Sequence, residues 1–258
     1  MTQADLAGIA ESSTRHLSCL ETGRAQPSRD MILKLAEHLA VPLREQNALL
    51  LAAGFAPPFH ERPLAELASA RAAIERILQA HKPYPAFAVD RRWNVVLSNS
   101  ALPQLYEGCS PGLLRPPVNA VRLILHPLGM GPRILNFNEW RAHTIAVLRR
   151  QIEARADPVI QGLFREITGY PAPPGAAASA PLDGSERYAM PLRIATRFGP
   201  VSFLNTTTIF GTPTDVTLAE LALEMLFPAD DATIAVVKAM VDEMRGQGQA
   251  EFGERRTE

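Results

Sequence analysis

The sequence predicts an α+β chain: helices fill the N-terminal quarter, and a sheet flanked by helices follows. Three observations carry this. Residues 2–55 are short apolar-periodic stretches separated by capping and turn residues. Pro57, Pro58 and Pro63 then make a break that no helix crosses. From His81 onward, alternating, β-branched and aromatic stretches enter.

In chain order, Thr2 caps a first helix through about residue 10, with Leu6 and Ile9 inward. A break at Glu11–Ser13 follows, and Ser13 caps a second helix over 14–21. Gly23 sits where a helix C′ residue belongs. Pro27–Ser28 opens a third helix, which Pro42 stops, and a fourth over 45–53 ends at Gly54. Residues 64–80 read as an amphipathic connector helix. Strands are expected at 84–90 and 93–99, a short helix at 100–106, an apolar stretch at 118–126, and helices at 138–155 and 158–168. Residues 171–181 read as a Pro/Ala/Gly loop. Strands follow at 187–198 and 201–210 around a Gly199–Pro200 turn, then helices at 218–226 and 231–244. The domains expected are 1–58, a linker and connector over 59–80, a second domain over 81–245, and a polar tail over 246–258.

Composition excludes several classes. The net charge of −1 leaves no basic coat, so any nucleic-acid contact has to come from a local patch. No apolar run spans a membrane and no secretory signal opens the chain, so a cytoplasmic protein is expected. Cys19 and Cys109 are too few for a disulfide framework or a four-ligand zinc site. The six histidines lack HExxH or HxH spacing, and no GxSxG, GxGxxG or Walker A run occurs. No metal or cofactor is expected, and Gly129–Gly131 reads as loop.

A short helix, a three-residue break and a capped second helix make the helix-turn-helix pattern. The stretch TQADLAGIAESSTRHLSCLETGRAQPS resembles XRE-family regulators at Thr2, Gln3, Leu6, Ala7, Ser13, Glu21, Gly23, Pro27 and Ser28. The resemblance implies a double-stranded DNA operator as partner, with the second helix in the major groove. Thr14, Arg15 and Ser18 then lie nearest the bases, with Arg15 suited to grip guanine O6 and N7, and Ser13 is a further DNA-binding residue. Gln3, Arg24 and Ser28 become phosphate contacts. Two-fold operators imply a homodimer. Two departures stand out. The family's Arg-rich helix before Thr-Gln does not appear ahead of Thr2, and residues 1–62 carry one Lys and five Arg against seven Asp and Glu. Glu11 also occupies a turn position that is commonly Gly, so its backbone has to accept strain or the chain has to take another turn.

The stretches LLLAAGFAPP, RRWNVVLSN, RLILHP, EW, VLRRQIEARADP and FGTPTDVTLAELALEMLFPADDAT are similar to the MmyB-like regulators. That resemblance implies a PAS-like antiparallel sheet enclosing a pocket for a small hydrophobic ligand such as a fatty acid. The apolar residues expected there are Phe87, Trp93, Leu97, Leu123, Trp140, Leu148, Ile194 and Phe203. Asn99 and Arg149 are polar beside apolar runs and are expected as anchors, Arg149 for a carboxylate. The reading is thus a DNA-binding regulator whose second domain senses a ligand. Its rivals are a sensor or partner-binding protein without a working DNA domain, and an enzyme using the same pocket.

Overall fold

The computed structural model describes residues 2–155, 157–176 and 190–254, with side chains through Glu243. The chain divides into two compact units: Met1–Ala68 with Phe210–Glu220, and Ser69–Ile209 with Leu221–Glu258.

The first unit is helical. Its elements are α1 (Gln3–Ile9), α2 (Thr14–Glu21), α3 (Arg29–His38) and α4 (Leu43–Ala52). The expected caps are in place. Thr2 and Asp5 form a capping box on α1. The Ser13 hydroxyl accepts from the His16 amide at 3.1 Å, and that of Ser28 from the Met31 amide at 3.2 Å. Ala7, Ala10, Leu17, Ile32, Ala36 and Leu50 make a small core. A one-turn helix from the second half of the chain, Val216–Ala219, belongs to this unit. Arg62 pairs with the buried Asp215 at 3.1 Å, and the Val216 amide donates to the His60 carbonyl at 2.8 Å. Arg44 bridges Glu220 (Nε–Oε1 2.8 Å) and Glu61 (Nη1–Oε2 2.7 Å). Both carboxylates hold its guanidinium firmly charged.

The second unit carries one five-stranded antiparallel sheet of order β2-β1-β5-β4-β3. The strands are β1 (Ala86–Val89), β2 (Val95–Ser98), β3 (Leu192–Thr196), β4 (Gly199–Ile209) and β5 (Ala222–Pro228). Helices α5 (Ala68–Ala80), α6 (Ala120–Leu125), α7 (Phe137–Arg155), α8 (Pro158–Thr168), α9, the Val216–Ala219 turn already placed in the first unit, and α10 (Asp231–Glu254) complete the elements. The core joins α6, α7 and α8 to the sheet through Leu123, Leu125, Phe137, Leu148, Ile160, Ile167, Ile194 and Phe203. Arg122 on α6 grips Glu166 on α8 with two 2.7 Å bonds, and Tyr170 donates to the same carboxylate.

Four expectations are corrected. The helix expected over 218–226 is one turn followed by β5, which pairs with β1 and β4 on both sides. LAELALEML is rich in helix formers, but two flanking ladders outweigh that propensity. The β3–β4 turn falls at Arg197–Phe198, because Gly199 already pairs with Thr196. The connector helix starts at Ala68, preceded by a 3-10 turn at Leu64–Glu66. The last helix, expected to stop at 244, continues to Glu254. The start of the strand expected at 187–198, residues 187–189, lies outside the described residues.

Candidate functional site

The first candidate site is the exposed face of α2. Thr14, Arg15 and Ser18 are exposed along it, with Arg24 just beyond its end. Ser13 and Ser28 use their oxygens as caps, yet each hydroxyl keeps a proton to donate to a phosphate. Gln3, expected at a phosphate, donates instead to Glu21 at 2.8 Å, tying the start of α1 to the end of α2. The break between these helices puts Glu11 at φ 52°, the strain its turn position demands of a residue with a side chain. Glu11 also accepts from Lys34.

The second site is a cavity of about 110 Å³ in the sheet unit, bounded by β1, β3, β4, β5, α6, α7 and the β1–β2 turn. Its walls are overwhelmingly apolar. Of the residues expected at a ligand pocket, Phe87, Trp93, Leu123 and Trp140 line this cavity. Trp93 gets there through a left-handed backbone, φ 67°. Asp90 holds that turn by accepting from the Arg92 and Asn94 amides at 2.8 and 2.9 Å. The Trp93 indole donates to Gln151 at 3.0 Å, which fixes the ring against α7.

The other expected ligand residues lie elsewhere. Leu97 pairs with Ala88, one step out of register with Phe87, so it faces the other side of the sheet. Leu148, Ile194 and Phe203 are fully buried in the core and do not line the cavity. Arg149 is exposed, its guanidinium 5.9 Å from the Phe164 ring centroid, and does not line the cavity. Asn99 is 1 % exposed and spends its amide on the backbone. It accepts from the Ala86 and Ala101 amides and donates to the Leu78 and Tyr84 carbonyls. It is a hub that closes the end of β2, with nothing left for a ligand.

The polar groups that do line the cavity went unread in the sequence: Glu224, Asn205, Tyr106, His143 and Thr144. Glu224, on the central strand β5, is 2 % exposed. It accepts from the Asn205 amide at 2.7 Å and from the Thr207 hydroxyl at 3.1 Å. Burial pushes its carboxyl above the usual range, and these two bonds pull partly back. Burial likewise raises the Tyr106 phenol. Desolvation against the cavity wall lowers His143, and the nearby Arg150 charge adds to this. The chamber is thus apolar, with the buried Glu224 carboxylate in its wall.

Comparison with known families agrees with this geometry. The helix-turn-helix family matches residues 1–46. The MmyB-like transcription regulator ligand binding domain matches residues 70–240, two thirds of the chain and the whole cavity wall. A search of curated proteins finds no match. An N-terminal helix-turn-helix followed by this domain makes the protein a DNA-binding transcription regulator with a ligand-binding domain, and the chain belongs to the MmyB-like transcription regulators.

Proposed function

We propose that this regulator binds a two-fold double-stranded DNA operator as a homodimer in the cytoplasm, and that a small hydrophobic molecule in the cavity sets its DNA affinity. It acts by binding, not by turnover, and its sheet unit is PAS-like. One observation carries the reading. Strands β4 and β5 supply Asn205, Glu224 and Leu226 to the cavity, and the chain between them, Phe210–Glu220, is part of the helical unit. Anything that shifts β4 against β5 therefore pulls on a segment clamped by Arg44–Glu220 and Arg62–Asp215. A ligand changes DNA affinity only by its difference in affinity for the two states that this segment links. A fatty acid, the ligand the family resemblance implies, finds apolar walls for its chain, but no Lys or Arg is among the described lining residues to pair with its carboxylate.

The test is selection of bound DNA from a random-sequence pool, followed by titration of the enriched site at two salt concentrations. Arg15→Ala costs about 1–3 kcal/mol on that site and relaxes one base pair. Arg44→Met leaves a protein that binds the site but responds less to ligand. No enrichment, or Arg15→Ala without effect, refutes the reading. The Gln3–Glu21 bond and the acidic balance of residues 1–62 favour a second reading, a sensor that does not use its DNA unit. Under that reading, binding to random DNA vanishes at physiological salt and no site is enriched.

A further inference from the structure

We infer that the cavity selects a compact hydrophobic amine, its ammonium received by the Glu224 carboxylate. This rests on the reading of the cavity as a ligand site and goes on to name the class of ligand. The cavity volume is about 110 Å³. That is of the order of the ~150 Å³ apolar cavity that binds benzene, so the apolar part of the ligand is about one ring in size.

The polar end follows from what stands at the wall. Glu224 is buried, yet among the described residues no cation pairs with it. Both of its neighbours, the Asn205 amide and the Thr207 hydroxyl, donate to it. They leave lone pairs of the carboxylate open, since two oxygens offer about four acceptor sites. A buried carboxylate without a counter-charge is costly, and a cation arriving with the ligand removes that cost. The register places the group well: Glu224 pairs with Phe87 on one side and Thr207 on the other, so carboxylate and aromatic wall share one row of the sheet. An ammonium on a single-ring ligand meets Glu224 while its ring lies among Phe87, Trp93 and Trp140. An anionic ligand meets the same carboxylate and is repelled.

The experiment titrates the full-length protein calorimetrically with benzylamine, benzyl alcohol and benzoate, matched in size and different in charge. Wild type binds benzylamine at least tenfold tighter than benzyl alcohol, with benzoate weakest. Glu224→Gln keeps the shape and the Asn205 contact. It weakens the amine and brings amine and alcohol within twofold of each other. Circular dichroism confirms that the variant is folded. If benzoate binds tightest, or the amine preference survives in Glu224→Gln, the inference is wrong while the ligand site stands. If none of the three binds, the inference is wrong, and the ligand-site reading is decided separately by whether Arg44→Met alters the response of DNA affinity to ligand.

Discussion

Helices α1 to α4 all end in the same closure. In each, the amide after the C-cap bonds three residues back and the next amide bonds five back: Glu11 to Gly8 with Ser12 to Ala7, Gly23 to Leu20 with Arg24 to Cys19, Ala40 to Glu37 with Val41 to Ala36, and Gly54 to Leu51 with Phe55 to Leu50. This is the Schellman arrangement, which needs a left-handed residue at C′. The four C′ residues have φ of 52°, 70°, 50° and 84°. Two are glycine, and Ala40 is an exposed alanine doing a glycine's job. A left-handed L-residue costs about 1–2 kcal/mol. Glycine gives back about 0.4–1 kcal/mol through the freedom of the unfolded chain. Ala40→Gly therefore stabilises α3 by a net of about 0.5–1 kcal/mol. Gly54→Ala loses a similar amount from backbone alone, since a Cβ at 54 meets nothing within 4 Å. Segment-resolved hydrogen exchange reads both changes. Protection at the end of α3 rises about two- to fivefold in Ala40→Gly and falls by a like factor at the end of α4 in Gly54→Ala. A loss of protection in Ala40→Gly, or no change in Gly54→Ala, refutes the claim that these left-handed residues limit the helical unit.

Other outcomes follow from the sheet unit. Asn99→Leu strands two buried amides and two carbonyls and costs at least about 3 kcal/mol in denaturant unfolding; a loss under 1 kcal/mol would remove its role as a hub. Because the folded Glu224 carboxyl sits above the usual value, the unfolded chain gives up its proton first as pH rises. Stability therefore falls from about pH 4.5 up to the folded value, by no more than about 1.4 kcal/mol per pH unit from this group. Urea midpoints between pH 5 and 8 show a shallower fall in Glu224→Gln, and parallel curves would contradict the assignment. Glu166 runs the opposite way. Arg122 holds it low, so its contribution is present above the ordinary carboxylate range and is lost as acid protonates it. Arg122→Met should flatten the acid limb of the same curve. Arg149→Leu leaves benzyl alcohol and benzoate affinities within twofold of wild type, and a selective loss of benzoate would put that guanidinium back at the cavity.

Much of the fold was legible because local signals and tertiary packing agree. Thr2, Ser13 and Ser28 cap the helices they were expected to cap. Gly23 and Gly54 sit at C′, and α8 begins and ends where Pro158 and Thr168 put it. The segment 218–226 was misread because its composition favours helix while its place between two ladders decides for strand. That error hid Glu224, which lies in the segment expected as helix and is in fact buried on the central strand of the sheet.

The cavity could have been drawn more closely from the helix that lines it. Trp140, His143, Thr144 and Val147 line the chamber from α7. They stand at i, i+3, i+4 and i+7, one stripe of a 3.6-residue helix. With Trp140 as the anchor, residue 149 lies two steps past Val147, about 200° around the axis. Arg149 therefore points away from the chamber whatever the neighbouring elements do, and its exposed place over Phe164 agrees. The same arithmetic on β1 and β2 separates Phe87 from Leu97, since Phe87 pairs with Ser98 and a one-residue step changes the face. Asn99 resists such counting. A polar residue closing a strand has the same sequence signature whether its amide serves a ligand or four backbone groups. Only the positions of the Leu78 and Tyr84 carbonyls, supplied by the end of α5 and the turn after it, decide between the two.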